Sequence, residues 1–198
     1  MTEARPRPTA LAIWLIFASI VGWWAAFQLT LEKFNALENP GTDASCDFSL
    51  LVQCSKNLDS WQGSLFGFPN PIIGLTCWMA PLVVGVALLG GVRFPKWFWS
   101  LFTLGTAGAF ALVCWLISQS IYDLATLCPW CMVTWTVTIP TFYATLLHGI
   151  RTEAIPLGKR AKKLADTLMG WMPLLAIVSY VIVALLAQLR LDWIGVMF

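Results

Sequence analysis

The stretch DLATLCPWCMVTWTVTIP, residues 123–140, decides how the rest of the chain is read. Cys128 and Cys131 stand at the head of a long apolar run. In a soluble protein this spacing points to thioredoxin-like redox chemistry or to half of a zinc site. Here the residues that follow read as a membrane-spanning helix. Proline suits the first position of a helix, so Pro129 puts Cys128 at or near the N-cap and Cys131 in the first turn. The positive end of the helix dipole favours thiolate over thiol at that place. No Lys, Arg or His adjoins the pair, which leaves the helix terminus as the activating group. Cys131 is expected to point into a bundle, with Thr134 and Trp135 on the same face.

The whole chain supports the membrane reading. Of its 198 residues, 59% are hydrophobic and 11% charged, and the mean hydropathy is +0.75. Soluble domains carry about 25% charged residues. Five charge-free runs, 8–31, 71–92, 97–122, 129–147 and 167–189, approach or exceed the roughly 20 residues that span a bilayer. The expected fold is an all-α integral membrane protein with five transmembrane helices. The first run is longer than the apolar part of a signal peptide and is read as a retained anchor. A single membrane domain over 1–198 is expected, with a core at about 10–150, a basic cytoplasmic loop at 151–166 and a fifth helix at about 167–190.

Charge sets the expected orientation. Arg5, Arg7, Arg93, Lys96, Arg151, Lys159, Arg160, Lys162 and Lys163 fall on one side if five helices alternate. Lys33, Lys56 and Arg190 fall on the other. The positive-inside rule then puts the N-terminus in the cytoplasm and the C-terminus outside. Trp97, Trp99 and Trp171 sit near the inner interface, and Trp130 and Trp193 near the outer one. Cys46 and Cys54, in the first outer loop, and Cys128 and Cys131 all face the compartment where disulfides persist. Cys77 and Cys114 fall inside membrane runs and read as small buried hydrophobes. In the outer loop, Leu58, Trp61, Leu65 and Phe68 recur at helical spacing, which suits a short amphipathic lid helix.

Several chemistries are excluded. A single histidine, His148, rules out a bis-His haem within one chain and reads as a cation at a helix C-terminus. No flavin or nicotinamide fingerprint and no basic stripe for nucleic acid occurs. A closed zinc site prefers two short cysteine spacings, whereas Cys46 and Cys54 are separated by seven residues. Two inert structural disulfides are the other alternative. A relay of two redox-active pairs is favoured, and its electrons need an acceptor. A lipid-soluble quinone reaches a pocket between helices without a polar binding domain. Ser60, Asn70, Thr134, Thr138 and the Trp135 indole are the donors near the outer end. Ser60 and Asn70 also read as caps, Trp135 as packing and Trp61 as an interface anchor.

Taken together, Cys46 and Cys54 with seven residues between them, Ser60-Trp61, Asn70 before Gly74, and CPWC with Trp135 resemble the vitamin K epoxide reductase family, specifically its thiol-reoxidising bacterial homologues. The resemblance covers about residues 10–150. It implies a four-helix bundle around a quinone, menaquinone or ubiquinone, with one extra helix here. It implies that Cys46 and Cys54 shuttle electrons from a DsbA-like thioredoxin-fold protein, that Cys128 receives them and that Cys131 faces the quinone. Asn70 and Trp135 would hold the quinone, with Ser60 and Trp61 beside it. Some relatives carry a fused thioredoxin-like domain; its lack here implies a partner in trans. The resemblance places the protein in the bacterial cytoplasmic membrane. DsbB-like enzymes show the reverse order of cysteine pairs. Reduction of vitamin K epoxide itself and a non-enzymatic membrane metal-binding protein are the alternatives.

The orientation has a direct test. An impermeant thiol reagent, applied to intact cells after disulfide reduction, is expected to label Cys46. Labelling only after the inner membrane is broken overturns the assigned direction.

Overall fold

A computed structural model describes residues 8–192 and Gly195. Arg5, Arg7 and Trp193, which carry part of the orientation reading, lie outside them. The elements are α1 (Thr9–Glu38), α2 (Ser55–Asp59), a 3-10 turn (Trp61–Ser64), α3 (Asn70–Cys77), α4 (Met79–Leu89), α5 (Lys96–Ser118) continued by a π turn (Gln119–Asp123), α6 (Pro129–Arg151), α7 (Gly158–Gly170) and α8 (Met172–Leu191). No strand occurs among the described residues, which hold an isolated parallel bridge between Val52 and Leu127.

Among the described residues, four stretches are long and apolar enough to cross a membrane: Thr9–Glu38, Asn70–Leu89, Lys96–Asp123 and Met172–Leu191. The chain is a multi-pass membrane protein of the all-α class. The remaining expected crossing, α6, has 23 residues, as many as α5. Its threonines at 134, 136, 138, 141 and 145 lower its hydropathy. Yet α6 is the hub, with α1, α5, α7 and α8 all packed on it.

Those threonines and their neighbours tie the helices together. Thr145 Oγ1 lies 2.7 Å from Thr106 Oγ1. Trp14 Nε1 donates to Thr141 Oγ1 at 3.1 Å, and Thr103 Oγ1 donates to the Thr145 carbonyl at 3.3 Å. On the other side of α6, Tyr180 donates to the Thr136 carbonyl at 2.6 Å, and Tyr143 pairs with Ser179 at 2.8 Å. Hydrogen bonds between membrane helices contribute about 1 kcal/mol each. At the end of the bundle away from the cysteine pairs, Leu11, Leu15, Val84, Leu88, Trp99 and Ala144 form an apolar core. The His148 ring lies 4.2 Å from that of Trp99.

The chain departs from the simple reading in four places. α1 does not stop near residue 31 but continues to Glu38. At 1.5 Å per residue it is about 45 Å long, against about 30 Å of hydrocarbon. The extra turns carry Lys33, whose Nζ binds the Leu58 carbonyl at 3.0 Å and the Asp59 carboxylate at 2.9 Å. The second run is divided at Trp78 into α3 and α4. The basic junction read as a loop holds α7, where Arg151 meets Asp166 at 2.7 Å and Lys162 meets Glu153 at 2.7 Å. Cys77 and Cys114 are exposed on the outer surface of the bundle rather than buried.

Close approach of α1 to the second crossing depends on small residues. A Cβ at Gly22 would stand 2.1 Å from the Trp78 ring. Overpacking of this kind costs about 1–3 kcal/mol. Gly22→Ala is therefore expected to lower the thermal midpoint in detergent. Gly105→Ala, where a Cβ meets nothing within 4 Å, should not lower it.

Candidate functional site

Cys128 is the N-cap of α6, in extended conformation, and Pro129 opens the helix. The Cys131 backbone N–H donates to Cys128 Sγ at 3.4 Å. This is the arrangement expected from CPWC: a sulfur held by the free amide groups at a helix start. Cys128 is fully buried and carries a free thiol, as does Cys131.

The loop between α1 and α2 brings the second pair onto it. Cys46 and Cys54 form a disulfide with a Cα–Cα distance of 5.7 Å. Cys128 Sγ lies 3.5 Å from Cys54 Sγ. Leu29, Leu58, Ala44 and Trp130 pack around the three buried sulfurs. The loop is fixed to the head of α6 through backbone hydrogen bonds: Leu127 N–H donates to the Leu51 carbonyl at 2.7 Å, and Gln53 N–H to the Leu127 carbonyl at 3.1 Å.

Asp47 organises the loop from within. Its carboxylate accepts from the backbone N–H groups of Cys54 at 2.6 Å and Ser55 at 3.1 Å, from Ser55 Oγ at 2.5 Å and from Ala44 N–H at 3.3 Å. Burial pushes the carboxyl pKa up, but the hydrogen bonds from Ser55, Cys54 and Ala44 outweigh it and hold the pKa below the ordinary value of 3.8. Cys46, Asp47 and Cys54 present ligand-type atoms within 4.8 Å of one another. The disulfide joins the two sulfurs, and N–H and O–H donors engage the carboxylate, so this cluster offers no free thiolate to a metal.

Beneath the loop lies a cavity of about 120 Å³. Cys131, Thr134 and Trp135 of α6 form one wall, and Ala26 and Leu29 of α1 another. Pro71 and Gly74 of α3 and Val113 and Leu116 of α5 close the sides, with Asn57, Ser60, Gln62 and Asn70 toward the outer end. The lid is not one amphipathic helix. It breaks at Ser60, which is extended, donates to the Asn57 carbonyl at 2.7 Å and accepts from Gly63 N–H at 3.1 Å. A serine that bonds its own backbone ends one turn and starts the next.

The candidate contacts thus separate. Trp135 is buried on the cavity wall, and its indole N–H finds no acceptor among the described residues. Ser60 borders the cavity while capping the 3-10 turn. Asn70 borders it too, but its amide clasps the lid: Nδ2 donates to the Gln62 carbonyl at 2.6 Å and Oδ1 accepts from Leu65 N–H at 3.1 Å. It is the first residue of α3, not its N-cap. Trp61 does not line the cavity. The residue is 64% exposed, and its ring leans on Trp115. Thr134 lines the wall; Thr138 lies below it and donates to the Thr134 carbonyl at 2.8 Å.

The sequence reading missed three polar neighbours. Gln62 is buried, and its Nε2 donates to Gln119 Oε1 at 3.3 Å and to the Asp123 carboxylate. Asn57 Nδ2 donates to Thr126 Oγ1 at 2.9 Å. Gln119 belongs to the π turn, a deviation that concentrates at functional sites. An amide near the end of an otherwise apolar run was the available signal.

A family model described as the vitamin K epoxide reductase family matches residues 13–146, which include every cysteine of the chain. No curated protein matches.

Asp47 gives this site a test. Hydrogen bonds to a charged group contribute about 1.5–3 kcal/mol each. Asp47→Asn, which turns an acceptor into a donor facing N–H groups, should loosen loop 39–54 and make it a protease substrate at neutral pH. In the unchanged protein the depressed pKa means full support above the carboxylate range, lost as pH falls through the folded-state value. Cleavage of the native loop should therefore rise only below about pH 4.

Proposed function

Because the chain belongs to the vitamin K epoxide reductase family and is thereby a membrane oxidoreductase, we propose that it oxidises the dithiol of an extracytoplasmic thioredoxin-fold protein and passes the electrons through its two cysteine pairs to a quinone. The observation that carries this reading is the 3.5 Å approach of Cys128 Sγ to Cys54 Sγ, with Cys131 on the cavity wall.

The steps follow from thiol–disulfide exchange, in which a thiolate attacks one sulfur and the other leaves. A partner thiolate attacks Cys46, and Cys54 leaves. The partner's second thiol resolves the mixed disulfide, so the partner is oxidised and Cys46 and Cys54 are reduced. Cys54 then attacks Cys128 of the Cys128–Cys131 disulfide, and Cys131 leaves into the cavity. Cys46 attacks Cys54, which re-forms the loop disulfide and frees Cys128. The pairing described above, loop oxidised and CxxC reduced, corresponds to the end of this step.

The cavity fits an apolar ring with polar edges. Its exposed lining is largely apolar, the Trp135 N–H is without an acceptor among the described residues, and Cys131 lies one helical turn away on the same wall. A bound quinone supplies a two-electron, two-proton acceptor, so that re-formation of the Cys128–Cys131 disulfide leaves a quinol. The role of this chain is to orient the ring with Trp135, hold Cys131 next to it and cover it with the lid that Asn70 and Lys33 fasten. The charge asymmetry supports placing the cysteine end outside a bacterial cytoplasmic membrane.

Purified protein, given a reduced DsbA-type protein and a quinone, should form quinol in proportion to the dithiol consumed. In Cys131→Ser, Cys128 attacks the loop disulfide and its neighbour cannot resolve the product. A Cys54–Cys128 bridge with Cys46 free should accumulate, read by non-reducing peptide mapping. A dominant Cys46–Cys128 bridge would reverse the assigned roles, and no bridge between the pairs would refute the relay.

A further inference from the structure

The loop that carries the first disulfide also carries two apolar side chains that no described residue covers. Phe48 is 74% exposed and Leu50 93%. Leu51, between Leu50 and the bridge to Leu127, is buried. The exposed pair is therefore not slack chain. Phe48 and Ser49 N–H groups both donate to the Val52 carbonyl, at 2.9 and 3.0 Å. Val52 N–H donates to Ser49 Oγ at 3.0 Å, and Gln53 Nε2 to the Leu50 carbonyl at 2.6 Å. A tight, internally bonded knuckle holds the two side chains outward, two and four residues after Cys46.

In sequence, acidic side chains outnumber basic ones beside it: Glu38, Asp43 and Asp47 lie within ten residues of Phe48, against Lys56 alone. Glu32 bonds Ser45, next to Cys46, while Asp43 and Glu38 are exposed. No Lys or Arg occurs between residues 34 and 55. Segments that dip into a membrane surface pair their apolar residues with Lys and Arg, which meet anionic headgroups. The charge here has the wrong sign for that role. Exposed aromatic and aliphatic anchors inside a charged rim are instead the anatomy of a protein contact.

We infer that the Phe48–Leu50 knuckle is the docking element for the thiol-bearing partner, a protein with an apolar groove beside its reactive cysteine and a basic surround. The inference rests on the function proposed above. Cys46 is only 4% exposed, so a small thiol in solution reaches it slowly, during brief openings of the loop, and a docked protein reaches it faster. A groove that grips the knuckle holds the same loop segment from which Cys46 emerges. It brings the partner sulfur to Cys46 Sγ as the Cys46–Cys54 bond breaks. Cys54 leaves as a thiolate and takes a proton, and the partner–Cys46 disulfide forms. The acidic rim steers a basic partner and makes docking sensitive to salt.

The test uses the full-length protein in neutral-lipid nanodiscs, with ubiquinone-1 as acceptor. The electron donor is either a purified reduced DsbA-type protein or dithiothreitol. In the variant F48S/L50S, KM for the protein donor should rise by about tenfold or more, while turnover with dithiothreitol stays unchanged. The conservative variant F48Y/L50M should restore KM. Raising ionic strength should raise KM for the protein donor in the unaltered chain. An unchanged KM in F48S/L50S overturns the inference. So does an equal loss with both donors, which would make the knuckle a support for the disulfide. A defect that depends on the anionic lipid content of the disc would make it a membrane contact and also overturns it. Failure of the unaltered protein to reduce quinone with dithiothreitol would count against the proposed function instead.

Discussion

One contact organises the outer half of the molecule: a thiol at a helix N-cap held 3.5 Å from one sulfur of a loop disulfide. Each partner depends on the other's scaffold. Cys128 is fixed because Pro129 starts α6 there and Cys131 N–H donates to its sulfur. Cys54 is fixed because Asp47 gathers the N–H groups at the start of α2. The Leu51–Leu127 and Gln53–Leu127 hydrogen bonds hold the two together without a covalent link. Exchange between the pairs needs small motion, and all three cysteines are buried.

The lid serves the same constraint from below. Lys33 on the projecting end of α1 holds one side of it, and Asn70 at the start of α3 holds the other. Gln62 and Asn57 connect it to the π turn and the segment leading to α6. Most polar side chains around the cavity are thus already engaged with the lid, and those aimed at a ligand are few. That distribution matches a site for a mostly apolar ring.

Much of this was legible in the sequence because it follows from strong local rules. Long charge-free runs gave the membrane class, and Pro129 gave the N-cap position of Cys128. The positions of residues that needed tertiary context were only partly legible. Asn70 looked like a ligand donor or a cap because periodicity cannot show that the Gln62 carbonyl and Leu65 N–H lie across from it. Trp61 fitted an amphipathic helix, but the break at Ser60 turned it out of the cavity. The end of α1 was placed too early because Glu32, Lys33 and Glu38 end the hydropathy signal while the helix continues to meet the lid. Phe48 and Leu50 gave no sequence signal at all, since exposure of an apolar residue is set by the fold around it.

The threonine-rich seam of α6 bears on how the protein is made. By hydropathy α6 is the poorest candidate for entering a bilayer alone, yet it carries the CxxC. Its polar seam is matched by Trp14, Thr103 and Thr106, all of which precede it in the chain. During synthesis from the N-terminus, α1 and α5 are already present when α6 emerges, so their side chains can satisfy the seam as it enters. Biogenesis and redox competence are thereby coupled: the reactive pair reaches its final place only after the helices that shelter it have been laid down.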